Sequence, residues 1–463
     1  MRAALEDPHQ LGIALAGDTW AAWRVLLIAI MGEELTDDER VIFTALTGRE
    51  REPLEPVEEF WGVVGRRGGK TRAMAVAAVY LAAFLDHSDV LALGERGMVP
   101  LIAASTKQAA TAFRYILGLI ETMPMLAAMV TGSTADTVSL SNGVDIEVRA
   151  ASFRTARSFT AIAVLADEAA FWRSDDSANP DTEILNALRP ALATTGGPLI
   201  VISSPYARRG EVYATWRRDF GPDGDPLILV AHGASRTLNP SLPQRVIDRA
   251  MARDPASAAA EYLAQFRSDI EAFVAREVVE ACISEDVRER PHFGRHRYFA
   301  FVDPSGGSND AMTLAIGHRE AGRAVLDATR ERKPPFSPEA VVLEFVELLR
   351  AYQISEVTGD RYAGDWVREP FRKLGVAYHV SAKVRSDLYR DMLPMLNSRS
   401  AELLQSETLI TQLVLLERRV SRSGREAIDH APGGHDDLAN AVAGLLSLCA
   451  KPVQRMTVEP LRL

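Results

Sequence analysis

Cysteine is almost missing from this chain. Its two residues, Cys282 and Cys449, are too few for a disulfide framework or a zinc site, so a reducing, cytoplasmic setting is expected. Long hydrophobic runs are missing too. The nearest, residues 20–30, is interrupted by Arg24 and falls well short of a membrane span; no basic stretch precedes it, so neither an anchor nor a signal peptide is expected. There is no internal repeat and no low-complexity tract, and His9, His87, His232 and His292 show no ligand spacing. Excess positive charge is lacking overall: the formal net charge is −10, which superficially argues against a nucleic-acid partner. Locally the balance reverses. Residues 361–425 hold 12 Lys and Arg against 7 Asp and Glu, a stretch equally suited to lying along a phosphate backbone or to forming a solvated, arginine-rich surface. What is present, 47% apolar and 25% charged residues over 463 positions, is the composition of a globular protein with room for two or three domains.

Residues 1–55 read as amphipathic helices, at 20–31 and 37–46, ending in the turn Glu52-Pro53-Leu54-Glu55-Pro56. From Phe60 the pattern changes. Short apolar runs at 60–64, 101–104, 162–166 and 199–202, each bounded by turn residues, predict buried parallel strands; helices at 71–85 and 107–122 separate them. This alternation predicts a doubly wound α/β sheet with ligands at the carboxyl ends of its strands. A second pattern begins near Arg297: three strands in a meander (298–302, 311–317, 323–327), then helix 338–352, strand 355–359, helix 366–374 and strand 376–380. Helices at 387–397, 407–419 and 437–449 complete it. The expected organisation is therefore an N-terminal domain over 1–270, with 1–55 as a helical N-terminal or lid region. A charged linker over 271–296, a second domain over 297–450 and a tail over 451–463 follow.

In the first domain the predicted strand 60–64 runs into Gly65-Arg66-Arg67-Gly68-Gly69-Lys70-Thr71 and then a helix, the context of a phosphate-binding Walker A loop. Lys70 would meet the β- and γ-phosphates and Thr71 a Mg²⁺ ion. The loop is a variant, because Val64 stands where the motif has its first glycine. The strand ending in Ala166-Asp167-Glu168 reads as a Walker B element, with Asp167 holding Mg²⁺ and its waters and Glu168 positioning the attacking water. Ser203-Ser204-Pro205 ends a further strand where a γ-phosphate sensor would sit, and Ser105-Thr106-Lys107 leaves another as backbone-touching loops do. Candidate arginines for the transferred phosphoryl are Arg66 and Arg67 in cis, and Arg149, Arg154 or Arg157 in trans.

In the second domain, Asp303 and Asp360 each end an apolar strand and His435-Asp436-Asp437 opens the last helix. Each acid alone could be a turn residue or a helix cap. Together, in this order, they fit a ribonuclease H-like fold whose carboxylates converge on two divalent ions for phosphodiester hydrolysis. An oxygen-only ligand set selects Mg²⁺ or Mn²⁺. Asp310 is an accessory candidate, Lys383 and Arg385 are candidate phosphate contacts, and the choice between Asp436 and Asp437 stays open.

A P-loop NTPase with a RecA/ASCE-like parallel sheet, followed by a ribonuclease H-like nuclease, resembles the large terminase subunit of tailed bacteriophages and prophages, the DNA-packaging motor. The resemblance covers nearly the whole chain. Residues Gly65–Thr71, Asp167-Glu168, Ser203-Ser204-Pro205, Asp303, Asp360 and His435-Asp436-Asp437-Leu438 carry it, and Thr47-Gly48-Arg49 looks like the adenine-side element of such proteins. Family members often have Glu at the second nuclease position, where this chain has Asp360. The resemblance implies ATP and Mg²⁺ at the first site, two Mg²⁺ or Mn²⁺ ions at the second, and double-stranded DNA, a small terminase subunit and the portal protein as partners. It further implies a monomer in isolation and a homo-oligomeric ring, expected to be a pentamer, on the portal. The implied location is the host cytoplasm, with transient residence on the procapsid portal and none in a membrane or the mature virion. The rival readings are a helicase- or repair-like ATPase-nuclease, for which no second RecA-like domain has room, and an inactive prophage remnant that binds the portal.

Overall fold

The computed structural model describes residues 1–152, 159–172, 180–308, 310–360, 367–420, 426–431 and 434–450. Arg154, Arg157, Arg361, Arg422, Arg425 and the tail 451–463 lie outside the described residues. The described chain divides into two compact units at Ser268/Asp269. No helix among the described residues is long and apolar enough to cross a membrane.

The first unit is built on one sheet. Its strands are β1 (Glu59–Val64), β2 (Gly97–Ala103), β3 (Val130–Ser133), β4 (Thr137–Leu140), β5 (Val144–Ala150), β6 (Thr160–Ala161), β7 (Val164–Asp167), β8 (Leu199–Ser203) and β9 (Ile228–Gly233). They lie in the order β3-β4-β5-β2-β7-β8-β1-β9, with β6 paired to β2. From β5 to β9 every pairing is parallel, and β3 and β4 extend the edge as an antiparallel hairpin. The central strands are apolar between their end residues because both faces are covered. Helices Lys70–Ala83 and Thr106–Thr122 pack on one face, together with the N-terminal helices Ala21–Ile30 and Asp37–Thr47. Pro180–Leu192 and Gly210–Asp219 cover the other.

The second unit carries β10 (Ile270–Ala272), β11 (Ile283–Ser284), β12 (Tyr298–Asp303), β13 (Met312–Glu320), β14 (Arg323–Arg332), β15 (Glu356–Gly359), β16 (Ala377–Val380), β17 (Ala401–Leu404), β18 (Leu416–Val420) and β19 (Glu426–His430). Its main sheet runs β11-β17-β14-β13-β12-β15-β16, and β10-β18-β19 form a small second sheet. The β12–β13–β14 meander is antiparallel, while β12, β15 and β16 are parallel. The last helix, Asp437–Ala450, lies across β12 and β13. Gly444 permits that approach, since a Cβ there would sit 2.4 Å from the Phe301 ring.

Two sequence expectations are corrected. Segment 271–296 is not a linker: it contributes the end of β10, helix Arg276–Glu280 and β11, and it buries Phe273, Val274, Val279 and Cys282 in the second unit's core. Its high charge masked these few apolar residues, which suffice to dock it. The helix expected over 407–419 stops at Val414, and Leu416–Val420 turns into β18. There β18 pairs with strands on both sides, and the fully buried Glu417 carboxylate meets Arg419 at 3.0 Å, a tertiary arrangement no local periodicity encodes.

Candidate functional site

In the first unit β1 delivers the phosphate loop. The missing first glycine is compensated one turn later. Val64 is fully buried and its Cγ1 occupies the space of a Cβ on Gly68, 2.5 Å away, so Gly68 must stay bare. Gly69 takes φ +88° and starts helix Lys70–Ala83. The loop carbonyls turn outward into distant supports: Arg66 O accepts from Ser235 Oγ at 2.6 Å, Arg67 O from Asn239 Nδ2 at 2.9 Å, and Gly68 O from Trp23 Nε1 at 2.7 Å. Within the loop Gly65 N–H donates to Gly233 O, Arg66 N–H to Glu261 O and Gly68 N–H to Gly65 O, so it is the N-terminus of helix Lys70–Ala83 that offers its N–H groups to an anion. Lys70 is buried there. Its ammonium donates to Val64 O (2.9 Å) and Ser204 Oγ (2.8 Å) and lies 3.2 Å from Glu168 Oε1.

Strand order explains this convergence. β8 lies between β1 and β7, so the ends of all three adjoin. Glu168, at φ +51°, leaves β7 and accepts from the Ser204 N–H at 2.8 Å; Ser203 Oγ is 3.5 Å from the same carboxylate oxygen. Asp167 is buried, and burial, reinforced by the Glu168 charge, lifts its carboxyl to about 7. Its Oδ1 has no hydrogen-bond partner, an orphan that a divalent cation would satisfy. Of the arginines expected here, Arg66 is exposed and pairs with Glu261 at 3.0 Å, a contact too solvated to hold it. Arg67 is exposed at φ +66°. Arg149 is engaged by Glu147 and stacks over Phe159. Ser105 caps helix Thr106–Thr122 through the Gln108 N–H, leaving Lys107 exposed.

Arg49 requires a correction. Its guanidinium donates to the backbone carbonyls of Gly221, Asp219, Asp225 and Ile228, at the amino ends of β1 and β9. The phosphate loop leaves the carboxyl end of β1, about 17 Å away at ~3.3 Å per residue. Arg49 is therefore a clamp on the 219–228 turn, and its motif resemblance reflects position in the chain rather than reach. Arg49→Met should destabilise the first unit by about 3 kcal/mol, because buried carbonyls lose a cationic donor. Urea unfolding followed by tryptophan fluorescence measures that loss, and nucleotide affinity should stay unchanged under native conditions. Weakened nucleotide binding with unaltered stability would return Arg49 to the nucleotide site.

In the second unit, Asp303 ends β12 and Asp360 follows β15. These strands are parallel neighbours, and the Asp360 N–H donates to Val302 O at 3.1 Å, so the two carboxylates share one sheet end. The amide of Asn440, one turn into the last helix, donates to Asp303 Oδ2 (2.9 Å) and Asp360 Oδ2 (3.0 Å). Asp437 opens that helix against β13, where its Oδ2 accepts from the Ala311 N–H and its carbonyl from Thr313 Oγ1, Thr313 being the register partner of Asp303. Burial, and then the neighbouring Asp437 and Asp360 charges, push Asp303 well above the carboxylate range against the relief from Asn440. Asp437 rises to about 6, through burial and then Asp436. Carboxylates crowded with one amide among them fit a hard divalent cation, which would reverse both shifts.

The final acidic pair divides. Asp436 is buried at 2% exposure with both oxygens engaged, Oδ1 by Arg385 at 2.9 Å and Oδ2 by the Tyr389 hydroxyl at 2.7 Å, while its carbonyl takes the Asn440 N–H. Arg385 also binds Asp429, and Lys383 pairs with Asp391 and Ser447, so both expected phosphate contacts are spent on internal ion pairs. Asp310 is exposed and acts on Asp437 through its charge. Asn440 had no place in the sequence reading. The available signal was its position three residues after Asp437, on the same helix face. Trp23, Ser235 and Asn239 carried no local signal, because they reach the phosphate loop from far along the chain.

These shifts carry a pH prediction. A carboxyl whose folded value exceeds its unfolded one keeps an extra proton in the fold, so stability falls as pH rises between the two values. For Asp437 that window runs from 3.8 to about 6, and for Asp303 it extends higher. Without divalent ions the second unit should therefore lose stability from about pH 4 to 7. Mg²⁺, which needs the deprotonated groups, should raise the melting temperature more at pH 8 than at pH 6. Thermal melts with EDTA or Mg²⁺ test this, and a gain independent of pH would contradict it.

The fold and the two centres define a P-loop NTPase unit of the additional-strand type, with the serine-bearing β8 between the loop strand and the Asp167 strand, followed by a ribonuclease H-like unit. No family model and no curated protein matches the chain. Among solved structures it is similar to the HK97 bacteriophage large terminase, at 17% identity over 85% of this chain and 91% of that one, with a TM-score of 0.38. It is also similar to the large terminase of thermophilic bacteriophage D6E in complex with ADP (10% identity, 84% and 94% covered, TM-score 0.38). The second unit has a counterpart in the large terminase nuclease from thermophilic phage G20c with bound magnesium (16% identity, 37% and 94% covered, TM-score 0.33).

Proposed function

We propose that this chain is a DNA-packaging motor subunit of the large-terminase kind, which hydrolyses ATP to translocate double-stranded DNA into a procapsid and cuts concatemeric DNA. One observation carries the reading: a single chain joins the Lys70–Asp167–Glu168–Ser204 centre on a parallel sheet to the Asp303–Asp360–Asp437 cluster on a ribonuclease H-like sheet. In the first unit, Lys70 would exchange Val64 O and Glu168 for the phosphates, and Thr71 and Asp167 would hold Mg²⁺. Glu168 would then orient the attacking water while Ser203 and Ser204 would sense the γ-phosphate. In the second, Asp303, Asp360 and Asp437 would hold two Mg²⁺ or Mn²⁺ ions, Asn440 bridges the first two through its amide, and Asp436 braces the helix start through Arg385 and Tyr389. Bound there, divalent ions would supply electrostatic stabilisation of the phosphoryl oxygens at both centres.

The partners in this reading are DNA, a small terminase subunit and the portal protein, with the ring forming on the portal in the host cytoplasm. Purified protein should hydrolyse ATP and cleave plasmid DNA with little sequence preference in Mg²⁺ or Mn²⁺. Supplied with empty capsids carrying portals and with concatemeric DNA, it should protect DNA from added nuclease only when ATP is present. Protein that binds neither ATP nor divalent metal would instead be an inactive remnant.

A further inference from the structure

The amino end of β12, remote from the carboxylate cluster, holds a second group of ligating side chains. His296 precedes the strand, and His318 and Glu320 lie two residues apart on β13, hence on one side of the sheet. One ligating atom from each of the three falls within 4.8 Å of the others. The Nε2 atoms of His296 and His318 lie 3.9 and 4.0 Å from the Glu320 carboxylate, and the two rings are tilted by 36° with centroids 4.0 Å apart.

Two further observations give this cluster a purpose. His318 is only 5% exposed, and its Nε2 is buried without a hydrogen-bond partner. An orphaned polar atom at that depth is costly unless something occupies its lone pair. Its other nitrogen, Nδ1, meets Asp327 Oδ2 at 2.6 Å, and Asp327 is 1% exposed. The carboxylate accepts the Nδ1–H, which fixes the tautomer and leaves the Nε2 lone pair directed at Glu320 and His296. Asp327 is also out of register. Ile316 pairs with Ala328 but Gly317 with Leu326, so Asp327 is the extra residue of a β-bulge that re-aims its side chain towards His318. A carboxylate behind a histidine whose far nitrogen faces a second histidine and an acid is the outer-sphere arrangement of a metal-ligating imidazole.

We infer that His296, His318 and Glu320 form a transition-metal site selective for Zn²⁺ over Mg²⁺, with Asp327 as the residue that orients His318. Two imidazole nitrogens and one carboxylate suit a borderline cation with a fourth position left to water; Mg²⁺ prefers oxygen ligands in an octahedron. Small side-chain shifts suffice, since ligand atoms on tetrahedral zinc at about 2.0–2.1 Å stand closer together than these do. Histidine thus supplies what two buried cysteines cannot. The site is also distinct from the carboxylate cluster. Tyr298 pairs with His318 and Asp303 with Thr313, so the two sites occupy opposite ends of β12, about 17 Å apart at ~3.3 Å per residue. A bound ion would pin the approach to β12 onto β13, a staple for the strand that ends in Asp303.

Co²⁺ titration of the full chain in excess Mg²⁺, which occupies the oxygen-ligand sites, tests the inference. The wild type should develop the intense visible bands of a tetrahedral ion at one equivalent, bleached by one equivalent of Zn²⁺, and Zn²⁺ should raise the melting temperature. His296→Ala and Glu320→Gln alter partly exposed side chains and should fold, yet lose the bands. Asp327→Asn should weaken Co²⁺ affinity about 10–100-fold. Asp303→Asn should leave the bands intact, separating this site from the nuclease reading. Absence of tetrahedral bands in the wild type, or their survival in the His296→Ala/Glu320→Gln double variant, would overturn the proposal; undiminished affinity in Asp327→Asn would remove Asp327 from it.

Discussion

Asp303→Ala should reduce DNA cleavage to the level of a metal-free control while ATP turnover continues at the wild-type rate. Asp303 is the carboxylate on which the cluster converges. It shares the Asn440 amide with Asp360, its charge is opposed by Asp437 and Asp360, and its strand carries the register that places Thr313 against Asp437. Removing it would leave two acids for a cation that three would hold, and hard-cation affinity depends on ligand charge and count. The same crowding makes a second, less intuitive expectation. An acid raised well above its ordinary value destabilises the fold at neutral pH, so metal-free Asp303→Asn should melt above metal-free wild type, with the difference growing from pH 5 to pH 8. Mg²⁺ should stabilise the wild type and do much less for the variant. Plasmid cleavage, phosphate release and thermal melts on one preparation separate these effects. Loss of both activities together would sink the picture of two separate centres.

The residues that a local pattern can mark were legible in the sequence. Buried parallel strands read as uninterrupted apolar runs, and an acid or glycine cluster at their ends stands out against them; Lys70, Glu168, Asp303 and Asp360 are of this kind. Illegible were the residues whose role comes from tertiary partners. Arg49 looked like a nucleotide residue and is a clamp for four carbonyls at the opposite end of the strands. Lys383 and Arg385 looked free to meet phosphate and are held by Asp391, Asp429 and Asp436. Charge by itself does not say whether a side chain faces solvent or another charge. Asn440 and Asp327 carry no motif, because one acts by bridging two acids and the other by occupying a bulge. The missing P-loop glycine was visible, but its consequence was not: Val64 fills the space that Gly68 leaves.

Glu168→Gln should lower ATP turnover about 10²–10⁴-fold, the usual worth of a positioned general base, with nucleotide affinity unchanged or tighter and Mg²⁺-dependent DNA cleavage intact. The direction of the affinity change follows from the geometry. Glu168 now does two jobs with its two oxygens: Oε1 holds the Lys70 ammonium at 3.2 Å, and Oε2 accepts the Ser204 N–H at 2.8 Å. A nucleotide must draw Lys70 away from the first contact, which the amide weakens by removing its charge, while an amide oxygen can still accept from Ser204 and keep the β7 and β8 ends joined. The left-handed backbone at Glu168, φ +51°, is also unchanged by an isosteric side chain. Loss of turnover in this variant therefore reports on water activation and not on collapse of the loop. Lys70→Ala makes the contrasting case: it should abolish turnover by weakening nucleotide binding itself. Fluorescent-nucleotide titration beside a phosphate-release assay distinguishes the two. Wild-type turnover in Glu168→Gln would assign the base elsewhere, and the candidate it would leave at this strand end is Asp167, whose carboxyl burial has already lifted to about 7.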